Sequence, residues 1–487
     1  MTTSPDPSVI PLATPTAEVL ARLQALRAHD LPTHGGRTLA YVYDSGLAEA
    51  DDLGRQALAM FAATNGLDPT AFPSLLAMEN DLVAFAGRIL DAPTGFVGTA
   101  TSGGTESILL AVQSARDSRL DVHRPQMVLP TTAHAAFHKA AHYFGVEPLL
   151  VDVDPTTHRA DPVAMAAALG GRVVLVVASA PSYAHGVVDP VTPIASAAAA
   201  LGIRCHVDAC IGGWVLPYLR GSRANPPAWT FAVPGVTSIS VDLHKYAYTP
   251  KGVSLLLHRT ADLRRPQFFA AADWPGYTML NSTTQSTKSG GPLAAAWAVV
   301  THIGDAGYAA LAARARDGVD ALLGGLAGIP ALSLVAEPDA TLVAVRTDDT
   351  CDVFTIADEM LDRGWFVQPQ MSFRGEAPSL HFTLSAATAP HMAEFLSALG
   401  ESVAAAAASG PIAPPPELAA MVATIDPTTL DEAAFDGLLG AAGLAGPGGL
   451  ALPERMAPVN ALLDAAPPRL REALLVAFLD RLSRPTP

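Results

Sequence analysis

The sequence predicts an α/β protein built on a mainly parallel sheet, and three observations lead there. Short β-branched runs recur between amphipathic stretches from residue 56 to residue 298. Half of the side chains are hydrophobic and only 16% are charged. At 487 residues the chain is long enough for a large core and more than one domain. Apolar runs without polar alternation, separated by helical patterns, mark strands covered by helices on both faces of a sheet.

Taken in order, residues 1–55 are Pro-rich, then helical in "TAEVLARLQALRAH", then irregular around "THGGRTLAYVYDSG". A large domain is expected over 56–298, with strands in "QMVLPTT", "VEPLLVDVD", "RVVLVVASA", "IRCHVDA" and "VTSISV". "AAAWAVVTHIGDAGYAALAARARDGVDALLGGL" reads as a long helical passage into a smaller α+β domain over 299–405. That domain holds strands in "LSLVAEP", "ATLVAVRT", "WFVQPQ" and "PSLHFTLS" and a helix in "DVFTIADEMLDRG". Residues 406–487 read as a linker and a helical C-terminal extension, and no internal repeat is present.

Composition excludes several classes. Thirty basic against 46 acidic side chains give a formal charge of −16, opposed to a general nucleic-acid or anionic-membrane surface. Cys205, Cys210 and Cys351 form no CxxC pair and no disulfide framework, which favours a reducing cytoplasm. The first twenty residues lack the basic-then-apolar pattern of a signal peptide. No run approaches the ~20 apolar residues that span a bilayer. The expectation is a soluble cytoplasmic protein with a small-molecule partner, no nucleic acid and no membrane span.

Three elements carry chemistry. "GTATSGGTESILLAVQSARD" sets Ser102-Gly103-Gly104-Thr105 before a helix with Ile108, Leu109, Val112 and Ala115 on one face. Glycines admit a ligand close to the backbone and helix N-terminal amides attract phosphate; the plain alternative is an ordinary Gly-rich helix start. "IRCHVDACIGGW" ends a buried strand on Asp208, where open α/β sheets carry their ligand crevice; a carboxylate there either meets a cationic ligand or caps the next loop. "SISVDLHKYAYTPKGVSLLLHR" places Lys245 between two apolar runs. An amine in an apolar site has its pKa lowered and becomes nucleophilic toward carbonyls. Phosphate cradle, anion and amine, in that order, match the needs of pyridoxal phosphate: an anchor, a partner for the pyridinium nitrogen and a Schiff-base lysine.

The stretches "FPSLLAMENDLV", "TSGGTES", "TAHAAFHKAAHYFGV", "APSYAHGVVDPV", "HVDACIGGW", "DLHKYAYTPKG" and "DWPG" resemble the sphingosine-1-phosphate lyase family, within the pyridoxal-phosphate-dependent decarboxylases. The resemblance runs from about residue 60 to 280 and continues more faintly to about 400. It implies an aspartate-aminotransferase-like fold, a homodimer with sites at the subunit interface, and pyridoxal phosphate as cofactor. Position by position it implies Lys245 as the Schiff-base lysine, Asp208 against the ring nitrogen and His134 on the ring face. The same resemblance implies that Gly103, Gly104, Thr105 and His244 hold the cofactor phosphate and that Tyr43 and Lys251 reach the substrate. In "STKSGG", Lys288 stands where the family usually has arginine, which weakens any bidentate role. Asp68, in "NGLDPTAFP", stands where the family has a phosphate-holding histidine, so a weak preference for a phosphorylated substrate is expected.

His134, His138 and His142 recur every four residues, a spacing that can bind zinc, but the glutamate of the metalloprotease pattern is missing, and no metal is expected. A regulator that binds cofactor without turnover would carry a basic DNA-binding segment, and none is found. Two reactions share these residues: cleavage of an amino alcohol next to its amine to an aldehyde and an ethanolamine product, and decarboxylation of an L-amino acid. Arg374, in "MSFRGEAP", is either a carboxylate anchor for the second or a solvated loop charge. The lyase is favoured, on "DLHKYAYTPKG" and "TAHAAFHKAAHYFGV".

Overall fold

A computed structural model describes residues 13–221, 226–441, 444 and 453–485. Of the described residues, those up to Thr33 form a unit of their own, with the expected helix at Thr16–Leu26, and the others form a second unit.

In that second unit, seven strands make one sheet: β1 (Val97–Thr101), β2 (Gln126–Pro130), β3 (Glu147–Val151), β4 (Val173–Ser179), β5 (Arg204–Asp208), β6 (Val236–Asp242) and β7 (Ser254–His258). Their order is β1-β7-β6-β5-β4-β2-β3. The five strands β6-β5-β4-β2-β3 pair in parallel, and β7 runs antiparallel to both β6 and β1. The uninterrupted apolar runs have the predicted cause. All seven residues of β4 and all five of β2 and β7 are buried. Each fully buried Val or Leu contributes roughly 1.5–3 kcal/mol of transfer free energy. β1, "VGTAT", is too short and small to stand out in the sequence. A short hairpin follows, β8 (Phe269–Ala271) with β9 (Met279–Asn281).

The long helical passage is Gly290–Leu326, interrupted at Gly304, whose φ of 61° only glycine adopts readily. It leads to a four-stranded antiparallel sheet of order β10-β11-β13-β12, made of β10 (Leu332–Leu334), β11 (Leu342–Thr347), β12 (Gln368–Gln370) and β13 (Ser379–Thr383). Each strand sits where the sequence puts it. The buried side chains gather in two main clusters, one under each sheet. Residues 38–43 run between them: Leu39 donates to Phe366 O (2.8 Å) and lies in the small-sheet core, while Val42 lies in the large one. That course delivers Tyr43 to the edge of the large sheet. The C-terminal extension is helical at Pro416–Thr424, Glu432–Ala441, Ala457–Ala465 and Pro468–Leu482, the last two divided at Pro467.

Candidate active site

Strand direction collects the predicted residues at one edge. The parallel strands end there, so Asp208 closes β5 and Asp242 closes β6, while the Gly-rich loop leaves β1 and His134 follows β2. Because β7 is reversed, it begins at that same edge: Ser254 pairs with Asp242 on one side and Thr101 on the other. Lys245 and Lys251, in the β6–β7 connection, are held over the strand ends in consequence. A cavity of about 390 Å³ opens there, lined among others by Gly104, His134, Cys210, Asp242, His244 and Lys245, with Lys251 at its wall.

The Lys245 ammonium is not in apolar surroundings, as its flanking sequence suggests. Its Nζ lies 3.0 Å from Oδ2 of the buried Asp242. Burial pulls the lysine pKa down, but Asp242, Cys210 and Asp208 together outweigh it, and the net direction is up. Burial pushes Asp242 up, and Lys245, His244 and an O–H···O bond from Ser254 (2.6 Å) together hold it below the usual carboxylate range. The two shifts agree on an ion pair.

Asp208 is buried at the end of β5 and does not line that cavity. Its Oδ1 accepts from the Cys210 amide (3.1 Å) and from the Ser240 hydroxyl (3.3 Å). His244 is buried; its Nδ1 faces Val253 O at 3.1 Å and its Nε2 faces Asp242 at 3.6 Å. Burial lowers its pKa against the pull of Asp242. The Gly-rich loop leads into the helix Gly104–Asp117, whose first amides have no carbonyl partner within the helix. A Cβ on Gly104 would lie 2.7 Å from Asp242 Oδ1 and 2.8 Å from Cys210 Sγ, so no larger residue fits there. His134 is exposed at the cavity mouth, and its Nδ1 accepts from Ala136 N at 3.2 Å.

Lys251 Nζ lies 5.5 Å from the centre of the Tyr43 ring, so these two predicted substrate contacts adjoin. Burial first and the Lys245 charge second lower the Lys251 pKa, a burden that a bound anion relieves. Asp68 lies elsewhere. It borders a second, largely apolar cavity of about 610 Å³, with Phe72, Leu75, Leu76, Leu280 and Leu293. Its exposed carboxylate accepts from the Thr70 amide (2.8 Å) and hydroxyl (2.6 Å), which hold its pKa below the ordinary value. A smaller cavity joins the two, sharing Ser102 and Glu106 with the first and Lys288 and Leu293 with the second. Lys288 is engaged by both oxygens of Glu79, at 2.6 and 2.8 Å. Arg374 pairs with Asp152. The histidine row dissolves, because the helix Ala136–Phe144 starts after His134 and leaves only His138 and His142 on one face.

Two functional residues escape sequence reasoning. Asp242 stands three positions before Lys245, a signal hidden because it reads as the polar end of a strand. Glu106 is buried at the third helical position after the Gly103 cap; its Oε2 accepts from Ser102 N (2.7 Å) and its Oε1 from Thr284 N (2.9 Å). A capping-box spacing in "SGGTE" carries that signal.

The donor set fits pyridoxal phosphate. The loop is stripped of side chains where a phosphate approaches, a lysine and two carboxylates stand within one small volume, and an exposed imidazole hangs at its mouth. Residues 48–344 match the model described as "Pyridoxal-dependent decarboxylase conserved domain". Residues 416–481 match "Pyridoxal-dependent enzyme, C-terminal putative HTH domain". The chain is 38% identical over 322 residues to a sphingosine-1-phosphate lyase of Dictyostelium discoideum, covering 66% of this chain and 60% of that protein. It is 35% identical over 416 residues to one of Arabidopsis thaliana, covering 83% and 75%. The solved sphingosine-1-phosphate lyase of Burkholderia pseudomallei superposes with a TM-score of 0.77 at 31% identity, covering 82% of this chain and 93% of that one. A glutamate decarboxylase of Lactobacillus brevis, at 18% identity and a TM-score of 0.71, shares the fold. With more than half its length in the decarboxylase model and its lysine, carboxylates and glycine cradle gathered at one sheet edge, the chain belongs to the pyridoxal-dependent decarboxylase family.

Proposed function

We propose that this protein is a carbon–carbon lyase that uses pyridoxal phosphate to cleave a long-chain amino alcohol, or its phosphate, to an aldehyde and an ethanolamine product. The observation that carries the reading is that Lys245, His134, His244 and Lys251 line one cavity at the strand ends, with Asp208 closing β5 and Tyr43 beside Lys251. The identity to named sphingosine-1-phosphate lyases supports it. When bound, the cofactor ring takes up the electron pair of the broken Cα–Cβ bond.

The chain's own residues do the rest. Lys245 is the tethering amine, and Asp242 balances its charge until the proton leaves. Asp208 presents a carboxylate to the ring nitrogen, and its bonds from Cys210 N and Ser240 fix its orientation. His134 covers the ring face. Gly103, Gly104 and Thr105 offer backbone donors to the phosphate beside His244. Lys251 takes the anionic or polar end of the substrate. The Tyr43 hydroxyl, its pKa raised by burial, keeps its proton as a donor beside Lys251. The apolar cavity bordered by Asp68 accommodates the hydrocarbon part, with Asp68 at its polar rim. Arg374 is exposed, pairs with Asp152 and is absent from the lining of the strand-end cavity, which supports the lyase reading over the decarboxylase.

A homodimer is part of this reading. Phe268, Phe269, Trp274, Tyr277 and Leu280 are all exposed around the β8–β9 hairpin, an apolar patch that a second copy would cover. Three buried, unpaired cysteine thiols fit a reducing cytoplasm, and among the described residues no helix is long and apolar enough to cross a membrane. Residues 416–481 carry nine acidic and four basic side chains. Of the basic ones, Arg455, Arg471 and Arg481 are already in ion pairs. That balance opposes DNA binding.

The test is product identity. Cofactor-loaded protein is given sphingoid bases, their phosphates and a set of L-amino acids, and aldehyde and carbon dioxide are both measured. Aldehyde from an amino alcohol without carbon dioxide is the expected outcome. Carbon dioxide from an amino acid, with no aldehyde from any amino alcohol, overturns the reading.

A further inference from the structure

Away from the strand-end cavity, one cluster of ligand-type side chains is built around a buried histidine whose ring nitrogens are unsatisfied. His158, in the loop after β3, is 1% exposed, and neither ring nitrogen has a hydrogen-bond partner. His185, in the loop after β4, stacks against it with ring centres 4.3 Å apart, and its Nδ1 is likewise buried and unpartnered. Glu376 brings a carboxylate oxygen to 3.6 Å from Nδ1 of His158. One ligand atom from each of the three lies within 4.8 Å of the other two. A buried donor or acceptor left unpaired costs about 1–3 kcal/mol, so an arrangement that leaves three ring nitrogens bare calls for an occupant.

The geometry points to a binding site for one divalent d-block cation of the zinc class, held by His158, His185 and Glu376, with a fourth position for water. Two imidazoles and a carboxylate are a donor set that suits such ions and not magnesium or calcium. Bonds of ~2.1 Å in a tetrahedron set ligand atoms about 3.4 Å apart, so the three draw together by about an ångström on binding. Glu376 has that freedom, since its side chain is 39% exposed at the end of the tight turn Phe373–Glu376.

The location gives the ion a role. His158 and His185 sit in loops of the large sheet, while Glu376 belongs to the connection between β12 and β13 of the small one. Two residues from His185, Tyr183 stacks on His381 of β13 (4.5 Å between ring centres) and donates to Gln368 of β12 (3.0 Å). Tyr183 also feels the charge of Lys245. The cation is a structural clamp that fastens the small sheet to the wall beside Lys245.

The test uses cofactor-loaded protein freed of metal with a chelator, given a small excess of Zn²⁺ and gel-filtered, with metal read by mass spectrometry. Wild type should retain one zinc per chain. His158→Ala and Glu376→Gln should retain under a fifth of that, and His138→Ala, on an exposed helix face, should match wild type. Glu376→Gln guards against misfolding, because the residue is part-exposed on a turn. Zinc should raise the melting temperature of wild type and leave that of Glu376→Gln unchanged. Zinc held equally by wild type and both site variants lies elsewhere, and wild type holding none leaves the cluster to water. Either result overturns the site.

Discussion

At Lys245 two requirements conflict. A buried ammonium must be paired, whereas an amine that attacks a carbonyl must first lose its proton. Asp242, 3.0 Å away, meets the first requirement and delays the second. The sign follows: a lysine whose pKa is raised in the folded protein deprotonates only at higher pH. Asp242→Asn removes the carboxylate and leaves burial opposed only by Cys210 and Asp208. The pH midpoint for acylation of Lys245 by an amine-reactive ester, followed by peptide mass spectrometry in cofactor-free protein, should move down by roughly 1–3 units. An unmoved midpoint means that Asp242 does not set the state of Lys245.

At the scale of elements, the cradle depends on how the helix Gly104–Asp117 meets the end of β6. Gly103 and Gly104 are adjacent but not equivalent. A Cβ on Gly103 meets nothing nearer than His244 Cε1 at 3.8 Å, and its φ of 167° is extended backbone that any residue adopts. A Cβ on Gly104 collides with Asp242 and Cys210, both buried and short, with no room to retreat. Gly104→Ala should therefore lower stability by about 1–3 kcal/mol, as overpacking does, and abolish cofactor retention. Gly103→Ala should stay within ~0.5 kcal/mol of wild type. Denaturant melts and cofactor absorbance after dialysis check both. Equal behaviour of the two variants would falsify the packing argument.

For the molecule as a whole, acid is the vulnerable side. Burial pulls His206 and His381 down to about 4 and His258 to about 3. In each case the unfolded chain takes up a proton near pH 6.5 while the folded one does not, so stability falls as pH drops from about 6.5 toward 4. Asp189 acts the other way: burial raises it to about 6, so its protonation between pH 6 and 4 favours the folded state. Three histidines against one aspartate leave a net loss, of roughly 2 kcal/mol per histidine at pH 5. Calorimetry should show a melting temperature on the order of 5 °C lower at pH 5 than at pH 7.5. A melting temperature that holds or rises at pH 5 would contradict these assignments.

What the sequence by itself determined is local in origin. Runs such as "RVVLVVASA" and "IRCHVDA" are strands because nothing polar interrupts them, and the glycines before "TESILLAV" announce a ligand loop because side chains are missing there. Order along the chain was enough to propose the Gly-rich cradle, Asp208 and Lys245 together with their cofactor, and the family resemblance added His134 and His244. Strand pairing decided the rest, since it joins residues far apart in the chain. The reversal of β7 puts Lys251 beside the end of β6, and the course of residues 38–43 between two cores brings Tyr43 to it. The turn that follows β6 folds Lys245 back on Asp242, three residues earlier, and so sets against it a carboxylate that the apolar flanks do not announce. The fold also carries Asp68 to a separate cavity, where its carboxylate caps its own turn, and it gathers His158, His185 and Glu376, which no spacing in the sequence connects. Hydrophobic pattern is written residue by residue, but the electrostatic neighbour of a buried charge is chosen by the fold.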